Sequence, residues 1–180
     1  AIPVISSRPA EPFIINLGDS LSFPLENFDL NENAKLSWKL LSGPVDMVVS
    51  PEGVLIWEGD QLDYHDYAIQ LSDGIDSIQW EGSVYVNISP VIISKPITYI
   101  SENELYEYPL EAQDDNIMSP LDSSVDNKIE FKLLDGPKGM EIDYQNILRW
   151  NPDKDILGEF YVSIIASDGI NYTSQDFQLL

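Results

Sequence analysis

The sequence predicts an all-β chain built from two β-sandwich domains in tandem. The first observation is a repeat, because residues 35–44 (KLSWKLLSGP) return as residues 128–137 (KIEFKLLDGP). The second is the alternation of apolar and polar residues along much of the chain, which is typical of half-buried strands. The third is the regular spacing of turn residues between these segments. A repeat of roughly ninety residues has the size of a small domain rather than of a solenoid turn.

The strands follow from the alternation and the turns. Leu36, Trp38 and Leu40 alternate with polar residues, and residues 129–133 repeat that pattern in the second copy. Residues 78–88 carry an apolar residue or glycine at every second position. Glycine, proline and aspartate at residues 42–44, 51–53 and 72–74 indicate turns and tight hairpins. Each copy is therefore predicted to form about seven short antiparallel strands with Greek-key connections.

The two copies divide the chain into predicted domains 1–89 and 90–180. The second copy carries an insertion near residues 115–127. This insertion is either a partner-binding loop or a loop that the fold simply tolerates. The pattern of the last strand continues to Leu180. We therefore expect the chain to be part of a larger secreted or surface-anchored protein.

Composition excludes several classes of function. The net charge of −22 repels nucleic acid and anionic lipid, so neither is expected as a partner. The chain has no cysteine, which excludes thiol catalysis and cysteine-ligated zinc. No stretch is long and apolar enough for insertion into a membrane. A pair of cysteine-free β-domains fits a bacterial or archaeal surface protein better than a eukaryotic one.

Residues 133–143, 147–152 and 158–169 carry a recognisable series of motifs. They contain a strand that ends in Gly136-Pro137, then Gly139-Met140 with Asp143, a Trp150-Asn151-Pro152 segment, and an Ala166-Ser167-Asp168-Gly169 hairpin. This series resembles the dystroglycan-type cadherin-like module, which is also described as an immunoglobulin-like domain of bacterial surface proteins. The first copy departs from it, for example at Asp46, where the pattern has glycine. The resemblance implies two tandem Greek-key immunoglobulin/cadherin-like β-sandwiches.

The same resemblance implies a function without catalysis. The expected role is an extracellular spacer or adhesion module that contacts a protein or glycan ligand at the cell surface. The alternative is an ancillary carbohydrate-binding module of a secreted hydrolase. Exposed edge strands would be the place where two copies form a homodimer. The only histidine, His65, is expected in a loop before a strand rather than in a catalytic site.

Calcium is the one cofactor that the resemblance suggests. Cadherins hold calcium at domain junctions with an acidic strand start, an Asp-x-Asp pair and an aspartate in the hairpin. Asp114, Asp115 and Asp168 resemble the latter two elements, and Glu102-Asn103 resembles the strand start. Residues 88–92 lack the acidic linker that completes such sites. Calcium needs six to eight oxygen ligands, so two interpretations stay open: these acids bind calcium, or they are solvated loop residues.

Aromatic residues are the candidates for glycan stacking. The parity of Trp80, Tyr106 and Tyr108 with apolar neighbours predicts that they face a core, whereas the opposite parity of Tyr85 predicts exposure. By their matching places in the two copies, Trp57 and Trp150 are predicted to be core residues. The other candidates for a glycan platform are Tyr64, Tyr67 and Tyr99.

Overall fold

The computed structural model describes residues 1–31, 33–101, 104–119, 126–153 and 157–180. Within these ranges every regular element is a strand, which confirms the predicted all-β class. The contacts divide the chain into two compact units, unit 1 (Ala1–Asn87) and unit 2 (Ile88–Leu180). The predicted domain limits, 1–89 and 90–180, stay a prediction.

Unit 1 is a β-sandwich. A four-stranded sheet has the order β2-β9-β8-β5, and a three-stranded sheet has the order β3-β7-β6. Strands β1 and β4 form a separate antiparallel ladder, and β2 runs parallel to β9. The strands are β1 (Val4–Ser7), β2 (Phe13–Asn16), β3 (Ser20–Pro24), β4 (Glu26–Phe28), β5 (Ser37–Ser42), β6 (Val48–Val49), β7 (Val54–Glu58), β8 (Asp63–Ser72) and β9 (Ser77–Asn87).

The core of unit 1 lies between its two larger sheets. Leu55 and Trp57 on β7 pack with Ile69 and Leu71 on β8, and all four are buried. The indole Nε1 of Trp57 donates a hydrogen bond to the carbonyl of Val45 at 3.0 Å. This bond satisfies the one polar group of a ring that is otherwise apolar. Trp57 is thus a core residue, as predicted.

Unit 2 is a similar β-sandwich with two three-stranded sheets. One sheet has the order β13-β16-β17, the other has the order β11-β15-β14, and β10 pairs with β12. The indole of Trp150 is buried and donates to the carbonyl of Lys138 at 3.1 Å, as Trp57 does to Val45. The strands are β10 (Val91–Ile92), β11 (Tyr106–Pro109), β12 (Ala112–Gln113), β13 (Glu130–Asp135), β14 (Glu141–Ile142), β15 (Ile147–Trp150), β16 (Phe160–Ser167) and β17 (Tyr172–Leu179).

Both units share an irregular edge. Strands β5 and β13 are edge strands of their sheets. Each has a register shift at the same place, between Leu40 and Ser42 in β5 and between Leu133 and Asp135 in β13. Each also carries an exposed lysine inside the strand, at residues 39 and 132. Bulges and lysines on edge strands oppose pairing with another chain.

The insertion predicted near residues 115–127 is only partly described. Met118 and Asp126 form an isolated antiparallel bridge, and the amide of Asn127 donates to the carbonyl of Ile117 at 2.8 Å. The ends of the insertion are therefore paired with each other. Residues 120–125 lie outside the described residues.

Candidate functional site

The three aspartates proposed for calcium lie on two segments of unit 2. Asp114 and Asp115 directly follow β12, and Asp168 lies in the hairpin between β16 and β17. Oδ1 of Asp114 accepts a hydrogen bond from the amide of Asn116 at 2.8 Å. Its Oδ2 is buried, and the side chain of Asn127 lies near enough to lower the pKa of this carboxyl group. Glu102-Asn103, the predicted strand start, lies outside the described residues.

The negative charges of these aspartates affect one another. Burial raises the pKa of Asp114 above its ordinary value, and the negative charges of Asp168 and Asp115 raise it further. A charge that is partly buried near like charges is unfavourable, and a cation would relieve it. However, in the part of the chain that the structure describes, no three acidic or histidine side chains converge as a metal site. Any cation here would need further oxygen ligands from amides, backbone or water.

Asp168 also has a structural task. Its Oδ1 accepts hydrogen bonds from the amides of Ile170 and Asn171, both at 2.7 Å. Asp73 makes the same turn in unit 1, where its Oδ1 accepts from Ile75 and Asp76. One oxygen of Asp168 therefore holds a hairpin that both copies need, because an aspartate side chain can close such a turn. That role explains an aspartate here without a metal.

His65 is held by the backbone of unit 1. It lies inside β8 rather than in a loop before the strand, so that expectation is wrong. Its Nε2 donates to the carbonyl of Gln61 at 2.9 Å, and its ring lies 5.0 Å from the ring of Trp57. Both contacts orient the imidazole within unit 1.

The predicted aromatic platform does not form from the candidate residues. Tyr67, Tyr106 and Tyr108 are buried, and the parity argument for the last two is confirmed. Tyr85 is also fully buried, so its predicted exposure is wrong. Tyr64 contributes to this burial, because it lies opposite Tyr85 in the β8–β9 ladder and packs edge-on at 4.9 Å between ring centroids.

The exposed tyrosines are mostly ones that sequence reasoning missed. Of the candidates, Tyr99 is exposed, whereas Trp80 packs on the core beside Tyr67. Tyr161 on β16 and Tyr172 on β17 are also exposed, by 53% and 64%. The register pairs Tyr161 with Gln178 and Tyr172 with Ser167, which places both on one face of the sheet. Their exposure could have been predicted from the sequence, because along each strand both tyrosines alternate with the apolar residues that face the core.

A second overlooked feature is a rung of side chains on the outer face of one sheet in each unit, β3-β7-β6 in unit 1 and β11-β15-β14 in unit 2. In unit 1 the rung runs from Ser22 through Ile56 to Val48. In unit 2 the corresponding rung runs from Glu107 through Arg149 to Glu141. The unit 2 rung is ionic, since Arg149 forms ion pairs with Glu107 and with Asp143. The unit 1 rung is apolar, with Val48 and Ile56 both exposed.

Comparison with known proteins places the fold among immunoglobulin-like domains. A Drosophila OTK structure with extracellular domains 3–5 superimposes with a TM-score of 0.65 and 12% identity, covering 94% of this chain and 59% of that one. Sidekick-1 immunoglobulin domains 1–4 give a TM-score of 0.62 and 12% identity, covering 98% and 48%. A three-domain immunoglobulin segment of titin gives 0.55 and 14%, covering 98% and 64%.

These likenesses establish the fold and nothing finer. The chain spans less than two thirds of the length of each of these structures. No protein-family model and no curated protein matches the chain. Within the described ranges, the chain has no helix with the length and apolar character that spanning a membrane requires.

Proposed function

We propose that the chain is a non-catalytic spacer or adhesion segment of a larger extracellular or surface protein. The observation that carries this proposal is the contrast between a repeated core and divergent surfaces. Trp57 and Trp150 make the same buried hydrogen bond in the two units. The exposed rungs beside them differ completely, since Ile56 stands where unit 2 has Arg149. A shared core with varied faces is typical of modules that are repeated for display and contact.

The fold of the neighbours supports the extracellular assignment. The OTK structure, which superimposes with a TM-score of 0.65, is described as extracellular domains. The motifs of residues 133–169 support a dystroglycan-type module of a bacterial surface protein. The net charge of −22 disfavours nucleic acid as the ligand. The proposed partner is therefore a protein or a glycan outside the cell.

A binding and turnover assay tests this proposal. The folded chain would be immobilised and exposed to arrays of extracellular protein domains and of glycans, and the same chain would be incubated with chromogenic glycosides and peptides. We expect saturable binding to at least one array member and no release of chromophore above buffer. Turnover that survives repeated purification would contradict the proposal.

The glycan-binding alternative has its own supporting observation. Tyr161 and Tyr172 are exposed on one face of the β16–β17 ladder, where sugar rings could stack. Affinity electrophoresis against soluble polysaccharides would test it with Y161A and Y172A. The matched control is Y144A, because Tyr144 is 94% exposed but lies outside this ladder. This alternative predicts slower migration of the wild type that both ladder variants lose and the control keeps.

We also propose that calcium, if bound, occupies the region of Asp114, Asp115 and Asp168. The support is the buried Oδ2 of Asp114, which lies near the negative charges of Asp168 and Asp115. Carboxylate oxygens are the ligands that calcium prefers, and these three residues supply them from two adjacent segments. The bound ion would neutralise the charge that now raises the pKa of Asp114.

A further inference from the structure

The smaller sheet of unit 1 exposes an apolar face beside a ring of acids. We call this surface the β6–β7 face and define it by Val45, Val48 and Ile56 together with three neighbouring carboxylates. The three apolar side chains are exposed by 75%, 50% and 40%. Val48 and Ile56 are direct neighbours across β6 and β7. Exposed apolar side chains grouped in this way commonly mark an interaction surface.

A cavity of about 250 Å³ opens on this face. It is lined by Val45, Ile56 and Trp57 and by three carboxylates. Within the described residues these carboxylates have neither a hydrogen-bond nor an ion-pair partner, and they do not form a metal-binding group. The carboxylates are those of Asp46, Glu58 and Asp60.

Unit 2 carries different residues at the corresponding position. There Lys138 stands in place of Val45, since its carbonyl accepts the equivalent tryptophan hydrogen bond. Arg149 stands in place of Ile56 and already pairs with Glu107 and Asp143. Unit 2 thus supplies its own cations and salt bridges at this face. Unit 1 has Ser22 and Ser50 where unit 2 has Glu107 and Asp143, and it carries Asp46 and Glu58 where unit 2 has Gly139 and Asn151. The acids of this face are therefore peculiar to unit 1. Within the described residues no ion pair neutralises them, so a cationic partner would complement this face.

We propose that the β6–β7 face binds an extended protein segment in which an arginine or lysine is flanked by apolar side chains. The long aliphatic part of such a side chain packs against Val45 and Ile56, while its charged end reaches the carboxylates. The flanking apolar side chains cover Val48. Because β6 is an edge strand of its sheet, the segment can lie alongside it. This inference rests on the proposed function only in taking a protein as the partner.

The test uses a short synthetic peptide of alternating valine and arginine, blocked at both ends. The full chain, labelled with nitrogen-15, would be titrated with the peptide, and amide shifts would be mapped. We expect saturable shifts that concentrate at β6, β7 and residues 45–46. A peptide with glutamine in place of arginine should bind at least about tenfold more weakly. A peptide with serine in place of valine keeps the charge and reports non-specific attraction to the acidic chain.

The decisive variant is S22E/V48E/I56R, which gives unit 1 the rung of unit 2. Unit 2 carries these residues at the corresponding ladder positions, so the variant is expected to fold, as a melting curve would verify. It adds one net negative charge, so weaker peptide binding could not come from lost overall attraction. We expect at least about a tenfold loss of affinity. The control I75R, at an exposed hairpin residue outside this face, should bind as the wild type does.

Three results would overturn the inference. The first is amide shifts that scatter over the acidic surface. The second is an unchanged affinity of S22E/V48E/I56R for the peptide. The third is that the peptide does not bind and sedimentation shows that this face pairs two copies of the chain. If the peptide fails but the arrays identify a ligand bound elsewhere, this inference fails and the proposed function stands. If both fail, the proposed function fails too.

Discussion

Gly53 lies against the indole of Trp38, so closely that a β-carbon at Gly53 would stand 2.4 Å from Nε1. In unit 2 the corresponding positions hold Asn146 and Phe131, a larger turn residue together with a smaller ring. Both turn residues have positive φ, 85° and 60°. In unit 1 a large ring accompanies a turn residue without a side chain, whereas in unit 2 a smaller ring accompanies a turn residue with one.

This pair predicts a compensating effect on stability. G53N should lower the free energy of unfolding by about 1–3 kcal/mol, because the added side chain overpacks the site. The double variant W38F/G53N should be about as stable as W38F alone. Urea denaturation measures both. The control is G18N, since Gly18 has the same φ of 85° but nothing within 4 Å of the added carbon. An equal loss in G18N would assign the effect to the backbone instead.

Two buried tyrosines predict opposite effects of removing a hydroxyl. The hydroxyl of Tyr67 is buried without a hydrogen-bond partner in the described structure, and burial together with the charge of Glu11 raises its pKa. Y67F should therefore leave stability unchanged or raise it by up to about 1 kcal/mol. Tyr106 donates to the carbonyl of Ile97 at 2.9 Å. Y106F should cost about 0.5–1.5 kcal/mol. Similar losses in both variants would refute this contrast.

The raised pKa of Asp114 predicts a pH dependence of stability. Below the unfolded-state pKa the residue is protonated in both states and costs nothing. As pH rises, the unfolded chain loses this proton first, so stability falls until the folded-state pKa is passed. D114N removes this term, so it should melt above the wild type near neutral pH and with it in acid. Melting curves across pH measure the difference; a constant difference would refute the prediction.

Calcium should act on the same residue. If the ion binds beside Asp114, calcium raises the melting temperature of the wild type and leaves D114N unchanged, because binding to the folded state stabilises it. Calorimetric titration of calcium into the protein, in buffer from which calcium has been removed beforehand, measures the heat of binding directly. D73N is the control, because Asp73 lies in a hairpin of unit 1 whereas Asp114 lies in unit 2, and it should keep the calcium response of the wild type. Identical calcium responses in the wild type and D114N would remove the ion from this region.

The edge lysines predict resistance to association. K39V and K132V each remove a charge from the exposed strands β5 and β13. Both should increase concentration-dependent association in sedimentation velocity, because an uncharged apolar edge pairs more readily with another chain. K95V removes a lysine outside any strand and should behave as the wild type. If all three variants associate alike, lost net charge rather than the edge position is the cause.

The two β-sandwich domains and their core residues could be predicted because the sequence contains two copies of the same pattern. Trp57 and Trp150 were identifiable as core residues by their matching places, and both are buried with the same hydrogen bond. Alternation likewise placed Tyr106 and Tyr108 in a core. It failed at Tyr85, since Tyr64 in the neighbouring strand contributes to burial on the outer face. Parity assigns a side chain to a face and does not say what covers that face.

The surfaces were less predictable for a related reason. The contrast between Ile56 and Arg149 is visible in the sequence, but its meaning depends on which residues lie across the sheet from them. Asp168 was identifiable as a hairpin residue, whereas the commitment of its Oδ1 to two amides required coordinates. The sequence alone does not distinguish a carboxylate that closes a turn by hydrogen bonds from one that is available to bind a cation.

Trp150 is the one tryptophan of residues 88–180, whereas residues 1–87 contain Trp38, Trp57 and Trp80. Indole emission responds to exposure to water, so a buried ring reports when its surroundings open. A single W150F substitution therefore removes all tryptophan fluorescence from residues 88–180. The difference between the wild-type and W150F melting curves contains the emission of Trp150, so each half of this chain can be followed without an added label.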